Sequence, residues 1–133
     1  MSIAGIPAPY VISFLHKKGK DYFNNKSNAF ELRVKGINKP FFVHLEYLTF
    51  QSKFFRESFV TVKEGDLVLI TVPSPETFEP ILEYLYFGNG DKWYDTITLD
   101  NYNDVWENVE YLGLDEGELG YILSSSYRTK VIC

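Results

Sequence analysis

The chain has 133 residues, a length that suits one domain with a single core. Hydrophobic residues make up 45% of it and aromatic residues 17%, which excludes an intrinsically disordered chain and predicts a core rich in Phe and Tyr. The formal net charge of −5 argues against sequence-independent binding to nucleic acid, which requires many Lys and Arg to neutralise phosphates.

Cysteine and apolar content predict the compartment. Cys133 is the only cysteine, so no disulfide can form within this sequence, and that pattern favours a reducing environment. No stretch approaches the ~20 apolar residues that a membrane helix needs. We therefore expect a cytoplasmic or nuclear protein that does not associate with membranes.

The first predicted element is an amphipathic helix in the segment YVISFLHKKG. Its apolar side chains Val11, Phe14 and Leu15 have the i, i+3, i+4 spacing of one helical face. Gly19 is predicted to end this helix. The following segment, DYFNNKSN, is rich in Asn and is predicted to be a loop.

A β-hairpin is predicted next. In AFELRVKG, the apolar residues Phe30, Leu32 and Val34 alternate with charged residues, which is typical of a half-buried strand. The segment GINK is predicted to turn the chain, and PFFVH to return as the second strand.

The periodicity becomes helical after His44, and two short helices are predicted. Ser52 is the expected N-cap of the second of them, which carries Phe55 and Phe59 on one face. The segment LVLITV has no alternation and is predicted to be the central strand of the sheet, covered on both faces.

A longer helix is predicted from the cap Ser74 to Gly88. Pro80 lies inside this segment, where it would break a regular helix at a cost of ~3 kcal/mol. We therefore predict that the first turn is separate or 3₁₀ and that the regular helix starts at Pro80. The segment GNGDKW after this helix is predicted to be a turn.

The last part of the chain is predicted to contain a short extended segment, TITL, and two helices. The helix in DNYNDVWENVEYLGL has an apolar face and is predicted to end at Gly113 in a left-handed conformation. Asp115 and Glu118 form an expected capping box for the final helix.

No pattern in the sequence predicts an active site. His44 and His16 lack Cys or carboxylate partners at metal-ligand spacing, and no nucleophile elbow is present. The carboxylates Asp104, Glu107 and Glu110 are interpreted as the solvated face of a helix. We therefore expect no enzymatic activity, no metal and no cofactor.

His44 can be interpreted in two ways. It is either a catalytic or metal-binding group at a strand end, or a buried structural group that joins two elements. Its neighbours Val43 and Leu45 are apolar and predict burial, and a buried imidazole must be hydrogen-bonded. We favour the structural role. The basic cluster HKKGK is likewise interpreted as a solvated helix end and not as a nucleic-acid patch.

The predicted order of hairpin, helix pair, strand, helix and helix pair resembles the BTB/POZ fold, and three segments resemble sequence motifs of that family. FFVHLEYLTFQSKFFRESF is similar to the family's strand ending in His, followed by Leu and then Ser-x-x-Phe. ITVPSPETFEPILEYLYFG resembles the family's strand, Pro or Asp, Phe and closing YTG, with Phe87 in the Thr position. VEYLGLDEGEL resembles the A-D-x-L-x-x-x-x-L segment, with Val109 and Glu110 for Ala and Asp.

The resemblance covers Phe30 to about Ser124 and implies an α+β fold. A small, mainly three-stranded sheet flanked by five or six short helices is expected. The implied organisation is an N-terminal extension over residues 1–28 with a dimerisation helix, a BTB/POZ domain over residues 29–126, and a tail over residues 127–133.

The resemblance also implies a protein–protein interaction module, without enzymatic activity of its own. Such domains form homodimers or hetero-oligomers, and many bridge a substrate to cullin 3 in a ubiquitin ligase. In longer members a helix before the first strand is exchanged between protomers. Val11, Phe14 and Leu15 are therefore candidate dimer contacts; packing on the chain's own core is the alternative.

A partner surface is implied by the same resemblance. Members that bind cullins often carry hydrophobic-x-Glu in the helix after the central strand, and the matching residues are Phe78, Glu79 and Pro80, with proline in the acidic position. Phe59 and Tyr86 complete the expected cullin or partner surface.

Several alternatives stay open. A monomeric ubiquitin-ligase linker of the Skp1 or elongin C type has the same fold without self-association. A dimerisation domain of a transcription regulator is another, although Asn28 and Ala29 replace the Asp that lines the charged dimer pocket of zinc-finger members. A small enzyme or ligand-binding domain built on His44, or a nucleic-acid accessory using HKKGK and YRTK, belongs to a different class.

Overall fold

The computed structural model describes residues 8–114, in which short helices surround one β-sheet. In chain order the elements are α1 (Ala8–Tyr22), β1 (Phe30–Val34), β2 (Phe41–Val43), α2 (Leu45–Thr49), α3 (Lys53–Ser58), β3 (Leu67–Ile70), a 3₁₀ turn (Pro75–Thr77), α4 (Phe78–Phe87), α5 (Gly90–Asp95) and α6 (Tyr102–Leu112). The predicted α+β class is confirmed, since the described part contains a three-stranded sheet and six α-helices.

The sheet has the strand order β2-β1-β3. β1 and β2 form the predicted antiparallel hairpin, with Glu31 opposite Phe42, whereas β3 runs parallel to β1. The prediction that LVLITV is the central strand is wrong, because β1 is central and β3 lies at an edge. Leu67 and Leu69 are 65% and 66% exposed, so this apolar run is covered on one face only.

The core is aromatic, as the composition predicts. Phe41 of β2 contacts Phe78 of α4 edge to face at 5.7 Å, and Phe30 of β1 contacts Phe59 after α3 at 5.6 Å. These rings are buried and belong to one continuous cluster. Edge-to-face geometry stabilises such pairs by about 0.5–1.5 kcal/mol beyond the area that they bury.

Helix α1 continues past Gly19 to Tyr22, so the prediction that Gly19 ends the helix is wrong. α1 packs against α4, and a Cβ atom at Gly19 would overlap the backbone carbonyl oxygen of Tyr86. Glycine is therefore required here because the two helices approach closely, and the cost of glycine inside a helix is offset by that packing.

Pro80 is accommodated by a change of helix type. The predicted 3₁₀ turn precedes α4, but α4 starts at Phe78, two residues before the predicted start at Pro80. Pro80 is the third residue of α4, where a backbone N–H would have no intrahelical partner. The missing N–H therefore costs no helical hydrogen bond.

The end of the described chain differs from the prediction in two segments. GNGDKW forms most of α5 instead of a turn, and Asn89 caps it by accepting a hydrogen bond from the Lys92 N–H at 3.1 Å. TITL forms no strand. Gly113 has the predicted left-handed conformation, with φ of 60°. The expected capping box of Asp115 and Glu118 lies outside the described residues.

Ser52 caps α3 as predicted and also ties it to α6. Its hydroxyl oxygen accepts a hydrogen bond from the Phe55 N–H at 3.2 Å, and the hydroxyl donates to the Leu112 carbonyl oxygen at 2.6 Å. Asn108 likewise connects two elements, since its side chain ties α6 to Ser74, the residue before the 3₁₀ turn. Its amide accepts from the Ser74 N–H at 2.9 Å and donates to the Ser74 carbonyl oxygen at 2.6 Å.

His44 lies buried at the corner between β2 and α2. Its Nε2 lies 3.0 Å from the Ser27 carbonyl oxygen, which can only accept, so Nε2 carries the proton. In the neutral ring Nδ1 then accepts from the Tyr86 hydroxyl at 2.8 Å, and the same hydroxyl oxygen accepts from the His44 N–H at 2.9 Å. Burial lowers the pKa of His44 below its usual 6.5.

The Gly19 contact predicts the outcome of a small substitution. Gly19→Ala adds helix propensity but forces a methyl group against the Tyr86 carbonyl, so we expect a net loss of about 1–3 kcal/mol in the free energy of unfolding. Urea denaturation followed by circular dichroism measures this. Lys20→Ala, at the next and exposed position, is the matched control and should change stability by less than about 0.5 kcal/mol. A more stable Gly19→Ala protein would contradict the contact.

The His44 network predicts a pH dependence. Because the pKa of His44 is lower in the folded state than in the unfolded state, the unfolded state binds more protons below pH 6.5. The free energy of unfolding should therefore fall as the pH drops below about 6.5. Above that pH the contribution of neutral His44 to stability is complete. Urea unfolding between pH 7.5 and 5 measures the slope.

Two variants isolate the group responsible for that slope. His44→Asn should lose about 1–3 kcal/mol at neutral pH, because buried partners are left unsatisfied, and should show a flatter pH profile. His16→Asn removes the other histidine, and its free energy of unfolding should still fall at low pH, because His44 is unchanged. Equal slopes in the wild type and His44→Asn would rule out this assignment.

Candidate interaction surface

One face of α1 packs on the chain's own core. Val11 and Leu15 are buried, and the Leu15 carbonyl oxygen accepts a hydrogen bond from the Tyr47 hydroxyl at 2.6 Å. Of the three predicted dimer contacts, only Phe14 is exposed in the described chain. Val11 and Leu15 instead pack on the core and fix the orientation of the adjoining, exposed side of α1.

The side of α1 that adjoins this buried face, here called the outer face, consists of Tyr10, Phe14, Lys17 and Asp21. These residues follow at i, i+4, i+7 and i+11, so they lie along one side of the helix. Tyr10 is 72% exposed and Phe14 48%. Two large aromatic side chains are therefore in contact with water on the same side of this helix.

The predicted cullin or partner surface divides in a similar way. Phe59, Phe78 and Tyr86 are buried in the core, so their side chains do not contribute to the surface of the described chain. Glu79 and Pro80 are partly exposed in the first turn of α4, and the Glu79 carboxylate pairs with Lys39 at 2.8 Å. Helical spacing identified apolar positions on α4 correctly but could not distinguish core contacts from partner contacts.

Further exposed or partly exposed apolar residues lie on α3 and α6 and directly after α3. The rings of Phe54 and Tyr111 are 5.0 Å apart, Tyr111 is 44% exposed, and Val60, just after α3, is 79% exposed. We call these three residues the α3–α6 patch. Sequence reasoning missed it, although Tyr111 lies outside the buried stripe formed by Val105, Val109 and Leu112.

A cavity of about 510 Å³ borders α1 on the side of His44. Its lining includes Phe14, Lys18 and Asp21 of α1, Glu46 and Tyr47 of α2, and Glu64 of the loop before β3. Three carboxylates and one ammonium group make it negative overall. The rings of Tyr22 and His44 meet edge to face at 5.3 Å in its wall.

The described residues show neither the features of a metal centre nor those of a membrane span. Residues 8–114 contain no group of three or more His, Cys, Asp or Glu side chains placed to hold a metal ion. The carboxylates Asp104, Glu107 and Glu110 are exposed along α6. The hydrogen-bond partners of His44 in the described chain are Tyr86 and Ser27, and none of these carboxylates is among them. Within the same residues, no helix has the length and apolar character needed to cross a membrane.

Comparison with known proteins identifies the family. The family model described as the BTB/POZ domain matches residues 21–116. Among solved structures, the BTB domain of zebrafish PATZ1 is similar, with a TM-score of 0.57 and 18% sequence identity over 97% of this chain and 94% of that chain. At this identity the likeness concerns the fold alone. No curated protein sequence matches the chain.

The resemblance noted in the sequence is therefore confirmed, both by the family model and by the fold. The family model spans well over half of the chain, and the members of this family are protein–protein interaction modules. This protein belongs to the BTB/POZ domain family.

Proposed function

We propose that this protein acts as a homodimeric interaction module that associates through the outer face of α1. The observation that carries the proposal is the exposure of Tyr10 and Phe14 on a helix whose other face is anchored in the core. Protein interfaces depend on a few buried anchors, and aromatic residues are enriched among them. Covering these two rings would remove apolar surface from water.

The anchoring of α1 supports this assignment further. Val11 and Leu15 are buried, Gly19 lies against α4, and Tyr47 donates a hydrogen bond to the backbone of α1. A helix held in this way loses little conformational freedom on association, which lowers the entropic cost of binding. A two-fold dimer would bring the same face of α1 together from both protomers.

We further propose that the dimer serves as a substrate adaptor for a cullin 3 ubiquitin ligase. An adaptor needs a second protein-binding surface besides the dimer contact. The α3–α6 patch of Phe54, Val60 and Tyr111 supports this role, because Val60 and Tyr111 are exposed and all three residues lie outside α1. Glu79 and Pro80 on α4 remain the alternative cullin contacts.

The dimer proposal predicts the effect of charges on the outer face. Tyr10→Asp/Phe14→Asp should convert a dimer into a monomer, because each protomer would have to bury two carboxylates in the interface. Light scattering coupled to size exclusion over a range of concentrations measures the mass. Val60→Asp, which adds a carboxylate to the other exposed surface, is the matched control and should leave the mass unchanged.

Two results would contradict the dimer. A wild-type protein that is monomeric at all concentrations would favour the linker of the Skp1 or elongin C type. A Tyr10→Asp/Phe14→Asp protein that is folded by circular dichroism and still dimeric would place the contact on another surface.

The adaptor proposal predicts a separate loss of function. Val60→Asp should weaken capture of purified cullin 3 by about tenfold or more, because an exposed apolar contact is replaced by a charge that must be desolvated. Tyr10→Asp/Phe14→Asp should still capture cullin 3 as a monomer. Pull-down followed by binding titration provides both readouts, and Glu79→Ala tests the surface on α4.

The outcomes of this titration separate the remaining roles. Loss of capture in Glu79→Ala, with Val60→Asp unaffected, would move the cullin surface to α4. A wild-type dimer that does not bind cullin 3 at micromolar concentrations would refute the adaptor role and favour a dimerisation domain of a transcription regulator.

A further inference from the structure

In the described chain, the charged side chains of both signs on α1 and in the neighbouring cavity form no ion pairs with one another. The ion pairs of the described residues join Glu31 to Arg33, Glu79 to Lys39 and Glu83 to Lys92. The cavity carboxylates of Asp21, Glu46 and Glu64 take part in none of them. Nor do the exposed ammonium groups of Lys17, Lys18 and Lys20 on α1.

The positions of these charges relative to the outer face differ. Lys17 lies on the outer face, between the aromatic residues Tyr10 and Phe14 and the carboxylate of Asp21. Glu46 and Glu64 lie in the cavity, which shares Phe14 and Asp21 with the outer face. A surface that covers Phe14 therefore meets the cavity at the same time.

Self-association through this surface has a geometric consequence. In a two-fold dimer the interface is isologous, so that if residue i of one protomer contacts residue j of its partner, then j also contacts i. A surface that carries an exposed basic side chain beside an acidic cavity is complementary to a second copy of itself. Lysine also has a long, flexible side chain that suits a cavity with aromatic walls.

We propose that in the homodimer Lys17 of each protomer inserts into the acidic cavity of the other and pairs with Glu46 and Glu64. The inference rests on the proposed dimerisation through the outer face of α1 and names the contacts that make it specific. The aromatic rings of Phe14 and Tyr47 in the cavity wall pack along the aliphatic part of the lysine side chain. Each dimer contains the contact twice.

The duplicated contact allows a charge-exchange experiment. The first variant, Lys17→Glu, places a carboxylate opposite an acidic cavity, and the second, Glu46→Lys/Glu64→Lys, places the native lysine opposite a basic cavity. Each variant alone should dimerise at least about tenfold more weakly than the wild type in low salt, since attraction becomes repulsion at both contacts. Analytical ultracentrifugation measures the dissociation constant.

Mixing the two variants provides the decisive result. In the mixed dimer the carboxylate introduced by Lys17→Glu meets the basic cavity of the second variant, and the native Lys17 of the second variant meets the acidic cavity of the first. We expect a heterodimer whose dissociation constant lies within about threefold of the wild-type value. Adding salt to 0.5 M should weaken both the wild type and the mixed dimer, because the Debye length shortens from about 10 Å at 0.1 M towards 3 Å at 1 M.

Control variants exclude a general effect of net charge. Lys35→Glu, in the turn after β1, and Glu107→Lys, on α6, reverse exposed charges outside α1 and the cavity and should leave the dissociation constant within about twofold of the wild type. Circular dichroism on each variant verifies the fold.

Each remaining outcome has a defined meaning. A dimer that persists unchanged in both charge variants would overturn the inference and leave the dimer proposal standing. Weak homodimers that fail to form a heterodimer would overturn the pairing of Lys17 with the cavity. A monomeric wild type would remove the dimer and this inference together; binding of a fluorescent hexalysine peptide to that monomer, lost in Glu46→Lys/Glu64→Lys, would assign the cavity to a basic segment of another protein.

Discussion

The close packing of α1 against α4 is the contact on which the rest of this structure depends. Gly19 allows the two helices to meet at the backbone of Tyr86, and the hydroxyl of the same tyrosine bonds His44 at the corner between β2 and α2. Tyr86 therefore couples the position of α1 to the hairpin and to α2, which also contacts α1 directly through the hydrogen bond from Tyr47 to Leu15. Residues of α1 and α2 also form the walls of the acidic cavity, so its shape depends on the same packing.

The division of α1 into two faces connects the fold with the function. The buried face uses apolar side chains and one backbone hydrogen bond to hold the helix, while the outer face leaves aromatic and charged residues in water. Burial of one face fixes the direction of the other, because side chains on a helix rotate together about its axis. A module of this kind can bind a partner without first ordering its own binding element.

Much of the fold could be predicted because local patterns determine it. The alternation of apolar and charged residues predicted β1, and turn residues predicted the hairpin. Ser52 and Gly113 predicted helix ends. Each of these signals acts over a few neighbouring residues. Features that depend on distant neighbours could not be predicted in this way. An apolar run such as β3 has the same pattern whether one face or both are covered, and Gly19 has the same local signature at a helix end and at a helix crossing.

The candidate site was harder to predict for the same physical reason. Periodicity separates apolar from polar faces, but Phe78 and Phe14 both belong to apolar positions, and only packing places one in the core and the other in water. His44 was expected to be buried and hydrogen-bonded, yet its partners Ser27 and Tyr86 lie 17 and 42 positions away in the chain. The acidic cavity combines residues from α1, α2 and a loop, and no segment of the sequence carries that pattern alone.

The edge position of β3 has a consequence for how this protein behaves at high concentration. An edge strand offers backbone donors and acceptors to any extended peptide. The exposed apolar side chains of Leu67 and Leu69 would stabilise such pairing further, because it would bury them. The strand is only four residues long, and just alternate residues turn their backbone groups outwards, so an incoming chain gains few bonds. Within the described sheet, the shortness of β3 therefore limits the backbone hydrogen bonds that a second chain could form along this margin.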